Sequence, residues 1–371
     1  MLGPERALLR DQHRYIAHPH MVRLVDGSWL LVATCGPRRA VTLHPPLDPE
    51  FITVCIWSDD EGETWSDPAP APGYSLSGTE CSGLTALPDG GVLLNQWRFR
   101  WYAETIAAGF DVTPDEPVLA TAADLQAELE GSLELDGAAP SGIIRWARGG
   151  GTTSLWRSAS GGMRWQHLAD PDLRPFQGGY GLRGGFFAAN GDLLLPLTDP
   201  PLYRSVFLIR SGDGGRSWSP PECVAQDPGC AFEEPSGVVL ADRTILILLR
   251  ENASRQLHAT RSSDHGATWS QPRPVGLAGF PAHVLALADG RLAALTADRS
   301  EPGTILLALS ADAGATWSDP IIVAGHLGTH DLGYPTGVLT RDDSIFAAYY
   351  RRDALGVTGV YARRVQVPHH A

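Results

Sequence analysis

The chain has 371 residues, 43% of them hydrophobic and 19% charged, and a formal net charge of −13. This is a globular composition, enough for one large domain or two ordinary ones. No apolar run of about 18 residues is present, so no membrane span is expected, and the acidic balance excludes nucleic acid as a general partner.

Read from the start, "MLGPERALLRDQHRYIAHPH" carries charges where a secretory leader needs an apolar stretch, which predicts a cytoplasmic location for the chain as written. The five cysteines lack C-x-x-C spacing, so they read as reduced and mostly buried, with no structural metal expected. "HPHMVRLVDGSWLLVAT" then gives two apolar strands about a tight D-G turn. The same pattern returns in "ECSGLTALPDGGVLLNQW", "LRGGFFAANGDLLLPLT", "EPSGVVLADRTILILLR", "PAHVLALADGRLAALT" and "YPTGVLTRDDSIFAAYY", making six units.

A second word sits between these units. It reads "SDDEGETWSDP" from Ser58, "SGDGGRSWSPP" from Ser211, "SSDHGATWSQP" from Ser262 and "SADAGATWSDP" from Ser310, with a degraded copy, "SASGGMRW", from Ser158. Asp-x-Gly places a side-chain acceptor and a positive-φ residue in one turn, and the Trp that follows can anchor a hydrophobic layer. Successive Asp residues at 213, 264 and 312 are 51 and 48 residues apart. A period near fifty with short strands predicts a propeller or solenoid, here an all-β, six-bladed propeller of four-stranded antiparallel blades spanning 1–371 as one domain.

Two departures from the period carry their own expectations. Between Trp101 and Ser158 the interval is too long, and "TAADLQAELEGSLEL" has helical spacing with an N-cap at Thr121. Residues 103–150 therefore read as a partly helical insertion in the second blade: an active-site lid, a surface decoration, or a contact between two copies in a homodimer. "WRFRWY", Trp97 to Tyr102, either stacks on a sugar or packs that insertion. The last unit has chain for only three strands, "YPTGVL", "SIFAAYY" and "GVYARRVQV". The fourth is expected from "ERALLRD", with Glu5 to Asp11 pairing near Val360 to Val367 to close the ring and remove an exposed edge.

Counting eight residues back from each unit's turn Asp or Asn reaches His18, Cys81, Leu182, Glu234, Pro281 and Tyr334, with His20, Glu80, Arg183, Glu233 and His283 beside them. Core-facing strands should open on apolar residues. Acids, histidines and a tyrosine at equivalent positions instead predict a polar pocket on the axis.

The S-x-D-x-G-x-T-W words resemble the Asp-box, or BNR, repeat, and at this count and period the chain is similar over nearly its whole length to the sialidase superfamily of six-bladed propellers. The resemblance implies that the Asp-boxes lie on blade rims, that the site lies on the axis, and that the substrate is a carbohydrate bearing a carboxylate, cleaved without a cofactor. "EPSGVVLADRTILILLR" resembles the segment with the catalytic glutamate and a substrate-carboxylate arginine, here Glu234 and Arg250. "GYPTGVLTRDD" resembles that of the nucleophilic tyrosine, here Tyr334. A neutral tyrosine avoids the repulsion an anionic nucleophile would meet at a carbon bearing a carboxylate.

The first-blade arginine is replaced by His18, and Arg14 is out of register. Arg299 is the nearest basic residue for the third arginine, and Asp48, in "CGPRRAVTLHPPLDPEF", is the acid/base expected from the first-blade loop. The site expected on this reading has Tyr334, Glu234, His18 and Asp48 as catalytic residues. Arg250, His20, Glu80, Arg183, His283 and Arg299 bind the substrate. A His/Tyr-dependent lyase or isomerase on uronic acid sugars, and a sugar-binding propeller without catalysis, stand beside it.

Overall fold

Alternating apolar runs and tight turns build six four-stranded antiparallel sheets; in five of them the strands pair in chain order, and in the sixth the N-terminal strand joins the last three. The computed structural model describes residues 1–41, 43–72, 78–107, 120–131, 141–176, 178–200 and 203–368. The blades' innermost strands are Arg14–Arg23, Glu80–Ala86, Phe186–Phe187, Phe232–Val239, His283–Ala286 and Gly333–Leu339, and they surround the axis. The second strands, such as Ile245–Glu251 and Leu292–Asp298, are buried almost throughout because neighbouring blades cover both their faces. Their near-continuous apolar sequence follows from that double burial. Core clusters accordingly straddle blade boundaries: Leu194 and Val206 of the third blade pack with Ile245 and Ile247 of the fourth. A buried aliphatic side chain of this kind contributes about 1.5–3 kcal/mol.

The ring closes through its termini. Gly333–Leu339, Ile345–Arg352 and Thr358–Val365 supply three strands of the sixth blade, and Arg6–Leu9 supplies the outermost. Arg6 pairs with Ala362, Ala7 with Tyr361 and Leu9 with Val360. Glu5 secures this strand by accepting the Tyr349 hydroxyl at 2.6 Å and pairing with Arg351.

Each Asp-box connects the third and fourth strands of its blade. In the fourth blade, the Ser262 hydroxyl donates to Asp264 at 2.7 Å and accepts the Gly266 amide at 2.8 Å, while Asp264 accepts the Thr268 amide at 2.9 Å. The degraded copy keeps the geometry with Ser160 in place of Asp, its hydroxyl accepting the Arg164 amide at 3.1 Å. The turn glycines press on the preceding blade. A Cβ on Gly62 (φ +84°) would lie 2.6 Å from the Phe346 ring, so only glycine fits there.

The long interval in the second blade leaves Val92–Ala103 and Trp146–Ser158 as an extended hairpin, with a helix at Ala122–Glu130 between them. Thr121 caps the helix in a reciprocal box with Asp124. Ala122, Leu125 and Leu129 pack against Leu43, Leu47 and Ile144, with Trp101 and Trp146 alongside. Most of "WRFRWY" therefore packs: Trp97 is buried and Trp101 joins the helix cluster. The rest of "TAADLQAELEGSLEL" after Gly131 lies outside the described residues. No described helix is long and apolar enough to cross a membrane.

Candidate active site

Four inner strands share one irregularity. His18, Cys81, Glu234 and Tyr334 have φ of 52°, 42°, 49° and 46°. Strand pairing slips around each of them, between Ala17 and His20, Glu80 and Ser82, Glu233 and Ser236, and Gly333 and Thr336. A bulge inserts a residue and re-aims its side chain. Left-handed backbone at a non-glycine residue costs on the order of 1 kcal/mol, and this fold bears that cost at four equivalent places around the axis.

The bulges bring distant residues together. The Tyr334 hydroxyl donates to Glu234 Oε1 at 2.6 Å, and Arg250 Nη1 donates to Glu234 Oε2 at 2.9 Å. Tyr180 also donates to Oε1, at 3.1 Å, and the Glu234 amide donates to Thr198 Oγ1 at 3.0 Å. Arg250 continues to Glu233 at 3.2 Å and to Asn252 Oδ1 at 2.7 Å.

Burial is the largest single influence on Glu234 and pushes its pKa up. Arg250, the Tyr334 hydrogen bond and Arg299 together outweigh burial and hold the carboxyl below its ordinary value. Burial, aided by the Glu234 charge, pushes Tyr334 well above an ordinary phenol. The pair is thus a neutral phenol donating to a carboxylate.

Arg299 lies with its guanidinium 5.3 Å from the Tyr334 ring centroid, donating to Leu332 O at 3.1 Å and the Tyr350 hydroxyl at 3.4 Å. His18, at the bulge of the first blade's inner strand, stands edge-on to Tyr334 at 4.5 Å and to Tyr350 at 5.3 Å. Glu80 precedes Cys81, whose Sγ lies 3.1 Å from the Tyr180 hydroxyl. Burial raises Glu80 to about 7; His44 opposes the shift and Glu234 adds to it. A carboxyl so placed holds a proton near neutral pH.

Other expected residues lie elsewhere. Asp48 follows the Pro45–Leu47 turn, fully buried, with Arg39 bound at 2.5 and 3.1 Å and the Glu50 amide at 3.0 Å. Both of its oxygens are engaged by a guanidinium, which corrects the expectation that it moves a proton. His20, Arg183 and His283 line a separate cavity toward the far end of the inner strands rather than the Tyr334 group. Arg14 is exposed.

Tyr180, Tyr350 and Asn252 were not singled out in the sequence. Tyr180 precedes the third blade's inner strand by several residues, Tyr350 lies near the end of a second strand and Asn252 just after one, so the eight-residue count misses all three. Among the described residues, no group of three His, Cys, Asp or Glu side chains is placed to hold a metal ion.

The family model for the BNR repeat-like domain matches residues 139–347. The chain belongs to that family. The BNR propeller's architecture recurs in solved structures. A protein of unknown function from Dyadobacter fermentans is similar at 23% identity, with 98% of each chain covered and a TM-score of 0.78. The NanB sialidase from Streptococcus pneumoniae is similar at 13% identity, over 98% of this chain and 70% of its own, with a TM-score of 0.67. The intramolecular trans-sialidase from Ruminococcus gnavus is similar at 16% identity, over 95% and 94%, with a TM-score of 0.63. No curated sequence matches the chain. At these identities the structural likenesses establish a sialidase-like six-bladed fold.

Proposed function

We propose that this propeller hydrolyses the glycosidic bond of a carboxylated sugar, of sialic or uronic acid type, at the mouth of its axis. The observation that carries this reading is the 2.6 Å bond from Tyr334 to Glu234, with Arg250 on the other carboxylate oxygen at 2.9 Å. Tyr334 Oη attacks the anomeric carbon and passes its proton to Glu234. Glu80 gives its proton to the departing oxygen as the glycosidic bond breaks. Water, deprotonated by Glu80, then attacks the glycosyl-tyrosine. The sugar–Tyr334 bond breaks and the phenolate recovers its proton from Glu234. Arg250 and Arg299 supply positive charge for the sugar carboxylate. With His18 in place of a third arginine, carboxylate affinity is lower than that of a three-arginine site.

The edge-on contact of His18 with Tyr334 supports a second reading, β-elimination from a uronic acid by a His/Tyr pair. The hydrogen bond from Tyr334 to Glu234 favours hydrolysis over it. A panel of 4-methylumbelliferyl sialosides and uronides, run beside absorbance of unsaturated uronides, tests the choice. The expected result is fluorescence from a carboxylated glycoside that disappears in Tyr334→Phe. Unsaturated product without hydrolysis would overturn it in favour of elimination.

A further inference from the structure

Beyond the Tyr334 layer, toward the other end of the inner strands, lies a second cavity of about 380 Å³. Its polar side chains come from several blades: His20 and Arg23 from the first, Arg183 from the approach to the third, Ser236 from the fourth and His283 from the fifth. His20 Nδ1 accepts the Leu84 amide at 2.9 Å, and His283 Nδ1 accepts the Gly337 amide at 2.9 Å. A neutral imidazole whose Nδ1 accepts a hydrogen bond carries its proton on Nε2. Burial first, and the Arg183 charge second, hold both histidines well below their ordinary pKa, so both are neutral. The two rings are 5.5 Å apart.

Arg183 is 4% exposed. Its Nη2 and Nε donate to Pro335 O at 2.8 Å and Ala282 O at 3.3 Å, while Nη1 is buried without a partner. No aspartate or glutamate lines the cavity, although the chain has 42 acidic residues against 29 basic ones. One arm of this buried cation, Nη1, is thus without an acceptor, and the cavity wall supplies no carboxylate to meet it. We infer that this cavity is a second ligand site, for a small monoanion held by Arg183 and the Nε2–H groups of His20 and His283. Three donors spaced around an axis suit a carboxylate or a halide. The rest of the wall is mostly apolar and glycine, including Met21, Leu84 and Leu285, which leaves room for a short aliphatic body behind a carboxylate. The inference stands whether or not the glycosidase reading holds.

Isothermal titration at constant ionic strength with bromide, acetate, butyrate and phosphate tests it, together with bromide-soaked crystals read by anomalous scattering. Expected are one saturable site, a bromide peak between Arg183, His20 and His283, and affinity reduced about tenfold or more in His20→Leu and His283→Leu. Butyrate binding more tightly than bromide would assign an organic carboxylate, and the reverse an inorganic monoanion; either supports the site. Affinity should be unchanged in Tyr334→Phe. Absence of saturation below about 100 mM, an anomalous peak only beside Arg250 or Arg299, loss of binding in Tyr334→Phe, or histidine variants with unchanged affinity would each overturn it. If the histidine variants do not fold, the bromide map of the unaltered protein decides.

Discussion

Tyr334 and Glu234 meet from the sixth and fourth blades, so removing one oxygen separates chemistry from binding. Tyr334→Phe is expected to abolish turnover while a carboxylated product analogue binds within about threefold of the parent by calorimetry. Residual turnover near the parent rate would exclude a nucleophilic role. Glu80 carries the pH argument. Its carboxyl, raised to about 7 by burial, must hold a proton to act as acid, so kcat/KM should fall as pH rises through that value. Glu80→Gln should abolish that limb and slow alkyl glycosides by roughly 10²–10⁴-fold, while aryl glycosides with good leaving groups lose far less. An unchanged alkaline limb in Glu80→Gln would assign the proton elsewhere. Arg250 has a structural charge role as well. Its side chain is 18% exposed and pairs with Glu233 and Glu234. Arg250→Ala leaves two carboxylates without their cation, and unfolding free energy should drop by about 3–5 kcal/mol in denaturant titration. Adding Glu233→Gln should recover part of it. No recovery would mean the loss is one of packing.

The Asp-box acts as a latch between blades. Its turn carbonyls accept donors from the preceding blade: Arg210 reaches His265 O at 2.9 Å and Gly266 O at 3.1 Å, and Arg261 reaches Ala313 O at 2.7 Å. The Asp side chain holds the turn in the shape that presents those carbonyls. Asp264→Ala should lower Tm by a few degrees and leave turnover per folded molecule at the parent level. Lost turnover in a folded variant would contradict the rim position. The bulges form the second recurrent element. A period-two strand has no place for the extra residue, and that residue is what faces the axis.

Closure of the ring belongs to the whole molecule. Deleting the first eleven residues uncovers Thr358–Val365 as a sheet edge, and oligomers should appear in light scattering. A truncated monomer as stable as the parent would show that the edge needs no cover. The sequence by itself determined the blades, their number and the terminal strand that closes them. Apolar periodicity and turn chemistry act within about fifty residues, and here nothing tertiary opposes them. It also pointed to Glu234 and Tyr334, each eight residues before a recognisable turn, and to Arg250 through the family resemblance. Other assignments rested on tertiary structure. Asp48 was expected to move a proton until Arg39 closed on it, and His20 and His283 looked like neighbours of Tyr334 until the fold placed them in a cavity farther along the inner strands. Tyr180 joined Glu234 from an approach segment outside any repeat. Partner, depth along the axis and protonation are set by which groups six blades bring within a few ångströms, and that information is in no single stretch of the chain.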